Sequence, residues 1–320
     1  MAKVPGPVHL AIGVFDGIHL GHQAVIASAT QGARQSGGSA VVLTFHPHPM
    51  RVLRPEAAPR LLTSTQHKEQ LIRTLGVHAL LIQEFTLAFS QTRPEEFVRL
   101  LVESAKPLRQ ICVGKGWTFG ANRSGNIATL DVLAHAYGFT LTEVPPITID
   151  GQPVSSTMIR AAVQRGDLAL AERLLGRPFT ILGTVAEGNR LGRQLGFPTA
   201  NLRAHNEQFP PDGVYATRAW HAGQQYGGVV NIGLRPTLEQ PGERLLELHL
   251  FDFNRQIYGE DVEVEFLAFL RPEQKFNGLT DLVKQIEKDV VRARAIYRDR
   301  VTIPNCDSIP LSKRPVTGKW

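Results

Sequence analysis

The sequence predicts two domains of different class: an α/β domain with a doubly wound parallel sheet, then a mainly antiparallel β-barrel with a terminal helix. Three observations predict it. Short apolar runs alternate with helical stretches up to Gly176, the pattern of βα units on a parallel sheet. From Phe179 onward, strand-like runs follow one another between glycine and proline turns, which is the habit of a barrel or sandwich. A chain of 320 residues is long enough to bury two cores.

The elements follow in order. His9 to Phe15 is a strand, and a helix runs from about His22 to Gln35. Ala40 to Phe45 is a second strand, leading into His46-Pro47-His48-Pro49. Thr65 to Leu75 reads as helix, His78 to Ile82 as strand and Pro94 to Glu103 as helix. Gln110 to Gly114 is a strand, Leu130 to Tyr137 a helix, and Phe139 to Val144 closes the set. Ser155-Ser156-Thr157 supplies N-cap residues for a helical stretch that Gly166-Asp167 interrupts. A short helix from Leu168 to Leu175 ends at Gly176-Arg177-Pro178, and the domain boundary is placed there: residues 1–176 and 177–301. In the second domain the strands are Ile181–Val185, Gly213–Thr217, Gly228–Ile232, Leu246–Phe253 and Asp261–Leu267. A helix from Leu279 to about Arg298 follows, with an apolar stripe of Leu279, Leu282, Val283, Ile286, Val290 and Ala293. Residues 302–320 are rich in Pro, Ser and Lys and read as a disordered tail. No internal repeat is visible.

Composition narrows the function classes. Hydrophobic residues make up 42% and charged residues 20% of the chain, as in an ordinary globular protein. No apolar run is long enough to span a bilayer, and the N-terminus lacks the apolar core of a signal peptide. A cytoplasmic protein without membrane partners is expected. The two cysteines, Cys112 and Cys306, exclude a disulfide framework and a cysteine metal cluster. Cys112, in Gln-Ile-Cys-Val-Gly, reads as a small buried hydrophobe. A net charge of +6 suits anionic small molecules. It is weak ground for nucleic acid, since the barrel strands do not interleave exposed aromatics with Lys and Arg.

The stretch Gly13-Val14-Phe15-Asp16-Gly17-Ile18-His19-Leu20-Gly21-His22 carries the most chemistry. Its two histidines, at three-residue spacing where a strand gives way to a helix, project to one side. Gly17 and Gly21 let a phosphate approach the backbone, and helix-terminal N–H groups favour an anion there. Imidazole donors suit the charge on an α-phosphate as pyrophosphate leaves. Ser155-Ser156-Thr157-Met158-Ile159-Arg160 places hydroxyls and an Arg at a helix start, a second place for nucleotide phosphates or an ordinary N-cap with a surface Arg. His46-Pro47-His48-Pro49 is read as a rigid loop walling a pocket rather than a metal site, for want of nearby carboxylates or cysteines. In Gly114-Lys115-Gly116-Trp117-Thr118-Phe119, with Arg123 beyond, the aromatics either stack on a planar ring or fold back on the core.

The second domain has its own set. Gly183, Gly188, Gly192 and Arg193 belong to a glycine-rich basic segment suited to phosphates. It leads into Phe197-Pro198-Thr199-Ala200-Asn201, where Thr199 and Asn201 face one side of an extended segment and offer oxygen ligands to Mg²⁺. Glu247 and His249 share one face of an alternating strand, and a carboxylate facing a pocket there is a base for a substrate hydroxyl. A Walker A loop is absent.

In order along the chain, G-V-F-D-G-I-H-L-G-H, F-H-P-H-P, S-S-T-M-I-R, G-R-Q-L-G-F-P-T-A-N-L, P-D-G-V-Y-A, N-I-G-L-R-P-T, E-L-H-L-F-D-F and F-L-R-P-E-Q-K-F resemble the bacterial bifunctional riboflavin kinase/FMN adenylyltransferases. P-T-A-N with a downstream E-x-H is the most specific of these motifs. The resemblance covers the chain to about Arg300 and implies two ATP-dependent reactions: riboflavin to FMN, then FMN to FAD with release of pyrophosphate. It implies that Gly13, Phe15, Asp16, Gly17, His19, Gly21, His22, Ser156, Thr157 and Arg160 bind ATP for adenylyl transfer, with His19 and His22 catalytic. It implies FMN contacts at His46, Trp117, Phe119 and Arg123. For the kinase it implies ATP at Gly183, Gly188, Gly192, Arg193, Thr199 and Asn201, Mg²⁺ at Thr199 and Asn201, and Glu247 as the base. The partners implied are riboflavin, FMN and ATP, with no nucleic acid and no membrane. One position departs from the family: where an Asp or Asn is usual, the chain has Gly116, followed by Trp117 where many members have Phe. That departure raises an alternative, a riboflavin kinase whose first domain has lost adenylyl transfer.

Overall fold

The computed structural model describes residues 4–188, 192, 195–234 and 244–302. The described residues fall into two compact units: 4–60 with 65–158, and 61–64 with those from 159 to 302. The expected tail, and Arg193, lie outside the described residues.

The first unit is a five-stranded parallel sheet in the order β3-β2-β1-β4-β5. Its strands are β1 (Val8–Ile12), β2 (Ser39–His46), β3 (Ala79–Glu84), β4 (Leu108–Gly114) and β5 (Thr140–Val144). All five residues of β1 are buried, as a central strand with both faces covered requires. Strand order reverses at β1, which pairs with β2 on one side and β4 on the other. The carboxyl edge of β1 is therefore the topological switch point, where open α/β sheets bind ligands. The helix α1 (Leu20–Ser36) follows β1 and ends at Gly37, whose φ of 64° and N–H to the Ala33 carbonyl terminate it. The core joins Leu10, Ile12, Val41 and Ile111 of the sheet to Val98 and Leu130 of the helices α5 (Pro94–Ser104) and α6 (Ile127–Tyr137). Cys112 is fully buried in β4.

Several shorter elements escaped the sequence reading. The second proline of His46-Pro47-His48-Pro49 opens a helix, α2 (Pro49–Leu53), capped by the His48 ring. Pro is at home in a first helical turn. A helical turn, α4 (Leu87–Ser90), follows β3, and β6 (Thr148–Ile149) pairs with β7 (Gln152–Pro153). The helix expected over 65–75 is α3 (Thr65–Arg73). The stretch after Ser155 forms α7 (Ser156–Gln164) and α8 (Leu168–Leu175).

The second unit is a closed barrel in the order β10-β11-β12-β9-β8-β13. Its strands are β8 (Thr180–Ala186), β9 (Ala200–Ala204), β10 (Gly213–His221), β11 (Gln224–Leu234), β12 (Arg244–Leu250) and β13 (Asp261–Arg271), all paired antiparallel. Along β12, Leu246, Leu248 and Leu250 are buried while Leu245, Glu247 and His249 are only half-buried, the period-two signature of a strand. The helix α9 (Leu279–Thr302) lies on the outside of the barrel, where Val290, Ala293 and Ile296 pack with Val214, Val229 and Leu270. It runs four residues beyond the expected end at Arg298.

Candidate functional site

The loop from β1 to α1 is bent by three residues in the left-handed region, Phe15 (φ 52°), Gly17 (φ 86°) and Ile18 (φ 45°). For Phe and Ile that conformation costs about 1–2 kcal/mol each, so other bonds must hold it. They do so at alternate carbonyls. Val14 O accepts from Thr44 Oγ1 at 3.0 Å and Lys68 Nζ at 2.7 Å. Asp16 O accepts from Ser156 Oγ at 2.9 Å, and Ile18 O from Gln23 Nε2 at 2.9 Å.

His19 is not in the helix, as the spacing argument had placed it, but is its N-cap: its Nδ1 accepts from the His22 N–H at 3.3 Å. An accepting Nδ1 carries no proton, so the neutral ring holds its N–H on Nε2. The two imidazoles stack at 3.6 Å with planes 20° apart, and the Phe15 ring edge meets His22 at 5.3 Å. Gly21 makes the stack possible, since a Cβ there would lie 3.1 Å from His19 Cε1. Burial, then the neighbouring His19 and Lys68, hold the His22 pKa well below its ordinary value, so this imidazole is neutral at pH 7. Its Nδ1 is buried with no protein partner. The remaining members of this set lie on α7: Ser156, bonded to the loop; Thr157, exposed; and Arg160, one turn on in the part of α7 grouped with the second unit.

The candidate flavin contacts follow other strands of the same sheet. His46, at the end of β2, shares a hydrogen bond of 2.8 Å with Thr65 Oγ1. Trp117 stacks on Phe119 at 4.7 Å, nearly coplanar, and Phe119 is buried against Phe97. Phe119 folds back on the core, and Trp117 covers it. Arg123 is exposed with φ 58°. Gly116 has φ 74° and open space where a side chain would stand. Sequence reasoning missed the rest of an aromatic chain, Phe45–Phe85–Phe89–Phe97, with centroids 5.7–6.2 Å apart. Strand-end phenylalanines on β2 and after β3 were its only signal.

In the second unit a cavity of about 500 Å³ opens between the outer face of the barrel and α9. Thr199, Asn201, Glu247 and His249 all line it. Strand register sets Asn201 of β9 directly opposite Glu247 of β12, and Glu247 opposite Asn231 of β11. Two glycines seat the first of these groups: a Cβ on Gly188 would run into the Asn201 amide, and one on Gly192 would stand 3.0 Å from Thr199 Oγ1. Gly183 instead lies within β8, where a Cβ would press on Arg203 O of β9 at 2.9 Å. The His249 Nδ1–H donates to Pro198 O at 2.9 Å, and burial lowers its pKa. Asn231 Nδ2 donates to Glu273 Oε1 at 3.1 Å. Asn231 and Glu273, not singled out from sequence, also line the cavity, as do Leu282 and Ile286 of the α9 apolar stripe. A second cavity of about 300 Å³ lies beyond Pro198, lined by Leu248, Leu250, Arg255 and Tyr258. Thr199 lines both.

Comparison with known proteins agrees with this division. The FAD synthetase family matches residues 2–158 and the riboflavin kinase family residues 175–297. The bifunctional riboflavin kinase/FMN adenylyltransferase of Bacillus subtilis (strain 168) is 40% identical over 88% of this chain and 89% of its own. The same-named protein of Haemophilus influenzae is 39% identical over 90% and 94%, and that of Escherichia coli K12 35% over 90% and 92%. A crystal structure of a Streptococcus pneumoniae protein described as a macrolide-efflux protein superposes with a TM-score of 0.78 at 30% identity, covering 91% of this chain and 96% of that one. Among the described residues no helix of the present chain is long and apolar enough to cross a membrane. By identity and coverage over both units, the chain belongs to the bifunctional riboflavin kinase/FMN adenylyltransferase family.

Proposed function

We propose that the chain makes FAD in two steps at two sites, with residues 177–301 phosphorylating riboflavin and residues 1–176 adenylylating the product. One observation carries the kinase half: Thr199 lines both cavities of the barrel, with Glu247 in the larger. A phosphoryl group passing from nucleotide to acceptor must cross such a border, so we assign the acceptor to the larger, more apolar space and ATP to the smaller. Glu247 takes the proton from the terminal ribityl hydroxyl, whose oxygen bonds the γ-phosphorus as the bond to the β-phosphate breaks and ADP leaves. Asn201, beside Glu247 in the register, and Thr199 offer hard, uncharged oxygens on glycine-spaced backbone, which fits Mg²⁺ arriving with nucleotide phosphates. Bound there, Mg²⁺ would neutralise charge on the transferred group. The glycine-rich segment with Gly188, Gly192 and Arg193 is assigned to the same phosphates.

In the first unit, a phosphate oxygen of FMN attacks the α-phosphorus of ATP, and the α–β bond breaks to release pyrophosphate. His19 offers its Nε2–H to the phosphates, and the loop from Gly13 to Gly21 supplies backbone N–H groups. His22, held neutral, hydrogen-bonds the phosphates without demanding a proton at pH 7. Ser156 holds the loop, while Thr157 and Arg160 extend the phosphate contacts along one face of α7. Trp117 is the ring we assign to the isoalloxazine, with Phe119 as its backing and His46 and Arg123 at the rim. The partners are then riboflavin, FMN and ATP, consistent with a cytoplasmic enzyme.

Product analysis tests the reading. Purified protein with Mg-ATP is expected to turn riboflavin into FMN and then FAD, and added FMN into FAD with pyrophosphate. FMN accumulating without FAD would leave the kinase alone standing; neither product would overturn both halves.

A further inference from the structure

Lys68 belongs to no motif, yet it is 7% exposed beneath the dihistidine loop. Its ammonium donates to Val14 O at 2.7 Å and Thr44 Oγ1 at 3.4 Å, both neutral oxygens. A buried lysine is rare unless something uses its charge. Among the described residues, the charged or titratable groups that act on this corner include Asp16 and His19 of the loop and His22 of α1. Among the described residues the cis peptides are at His46-Pro47 and Lys106-Pro107, both outside the loop. In a trans peptide the C=O and the next N–H point in opposite directions. Pinning the Val14 carbonyl on Thr44 and Lys68 therefore turns the Phe15 N–H away from those donors. A backbone N–H so turned beside a helix start suits an anion.

We propose that Lys68 is a positioning residue for adenylyl transfer: its buried ammonium fixes the Val14 carbonyl and so aims the Phe15 N–H at the nucleotide phosphates. The same charge adds to burial in keeping His22 neutral. Burial in turn brings Lys68 down to about 8, against the pull of Asp16, so its cationic form is lost as pH rises through that value.

This inference rests on the adenylyl-transfer reading, and the test separates the two. FAD formation from FMN and Mg-ATP is measured from pH 6 to 10 for the natural chain, Lys68→Met and Lys68→Arg, with riboflavin phosphorylation by the same chains as a folding control. Lys68→Met should lower kcat for FAD formation roughly tenfold or more, with KM for ATP changed less, because the aimed N–H matters most as charge develops. Lys68→Arg should restore part of the rate. The natural enzyme should lose rate as pH rises through about 8, and Lys68→Met should lack that limb. Natural-type kcat in Lys68→Met, or the same alkaline limb in both, overturns the proposal. Should Lys68→Met fail to fold, the natural profile decides: no fall through about 8 overturns it. Natural enzyme that makes no FAD at any pH sinks instead the reading beneath.

Discussion

The dihistidine site of the first unit is built from backbone and two imidazoles at a helix start, with no carboxylate side chain assigned to the reacting atoms. The barrel site is built from side chains of paired strands and centres on a carboxylate, Glu247, beside Asn201. In the reactions proposed, the difference follows from the two nucleophiles. A phosphate of FMN is already ionised at pH 7, so its transfer needs charge stabilisation and alignment. A ribityl hydroxyl must lose a proton, so its transfer needs a base. On that proposal the first site shapes potential, and the second is a proton acceptor set by strand register.

Breaking each site by its own material gives the largest effects. Glu247→Gln keeps the shape and removes the base; riboflavin phosphorylation should fall by about 10²–10⁴, while FAD formation from supplied FMN stays within twofold. Chromatography of both reactions checks this, and loss of both activities would contradict separate sites. His22→Ala should do the reverse, lowering FAD formation by about 10²–10³ and sparing the kinase. His19→Asn sharpens the comparison, because Asn caps a helix about as well as any residue. It should melt near the natural temperature yet lose adenylyl transfer; retained activity would reduce His19 to a cap.

Glycines separate the two sites at smaller cost. Gly188→Ala drives a methyl into the Asn201 amide and should lower phosphorylation about tenfold with little change in FAD formation from FMN. Gly116→Asp meets open space, and Asp tolerates the left-handed region, so thermal unfolding should shift by about 1 kcal/mol or less. Unfolding of either variant to the exclusion of the other would expose a misplaced side chain.

The smallest effect is on stability with pH. His22 and His249 both have pKa values lowered by burial. The unfolded chain then binds protons before the folded one does, so stability contributed by these groups is intact above about 6.5 and declines as pH falls below it. Melting temperatures from pH 7.5 to 5.5 should drop more for the natural chain than for His22→Phe with His249→Phe.

The fold was readable because periodicity reports it locally: the apolar run that is buried throughout β1 and the alternation along β12. Short elements such as α2 and α4 were not, since five- and four-residue helices are too brief to show a 3.6-residue period. The motif residues were legible as chemistry. Their partners were not: Lys68 reaches Val14 across 54 positions and Ser156 reaches Asp16 across 140, and no local pattern encodes such pairs.

By itself, then, the sequence determined the two classes of domain, the histidines at a strand–helix junction, Asn201 and Glu247 on their strand faces, and Thr199 just before its strand, because each depends on the spacing of near neighbours. It could not tell that His19 is a cap rather than a helical residue, nor that the outward face of β12 is covered. Tertiary structure decided both. An imidazole becomes a cap acceptor only when strained backbone is pinned from β2, α3 and α7. A polar outward strand face becomes the wall of a cavity only when α9 packs beside it.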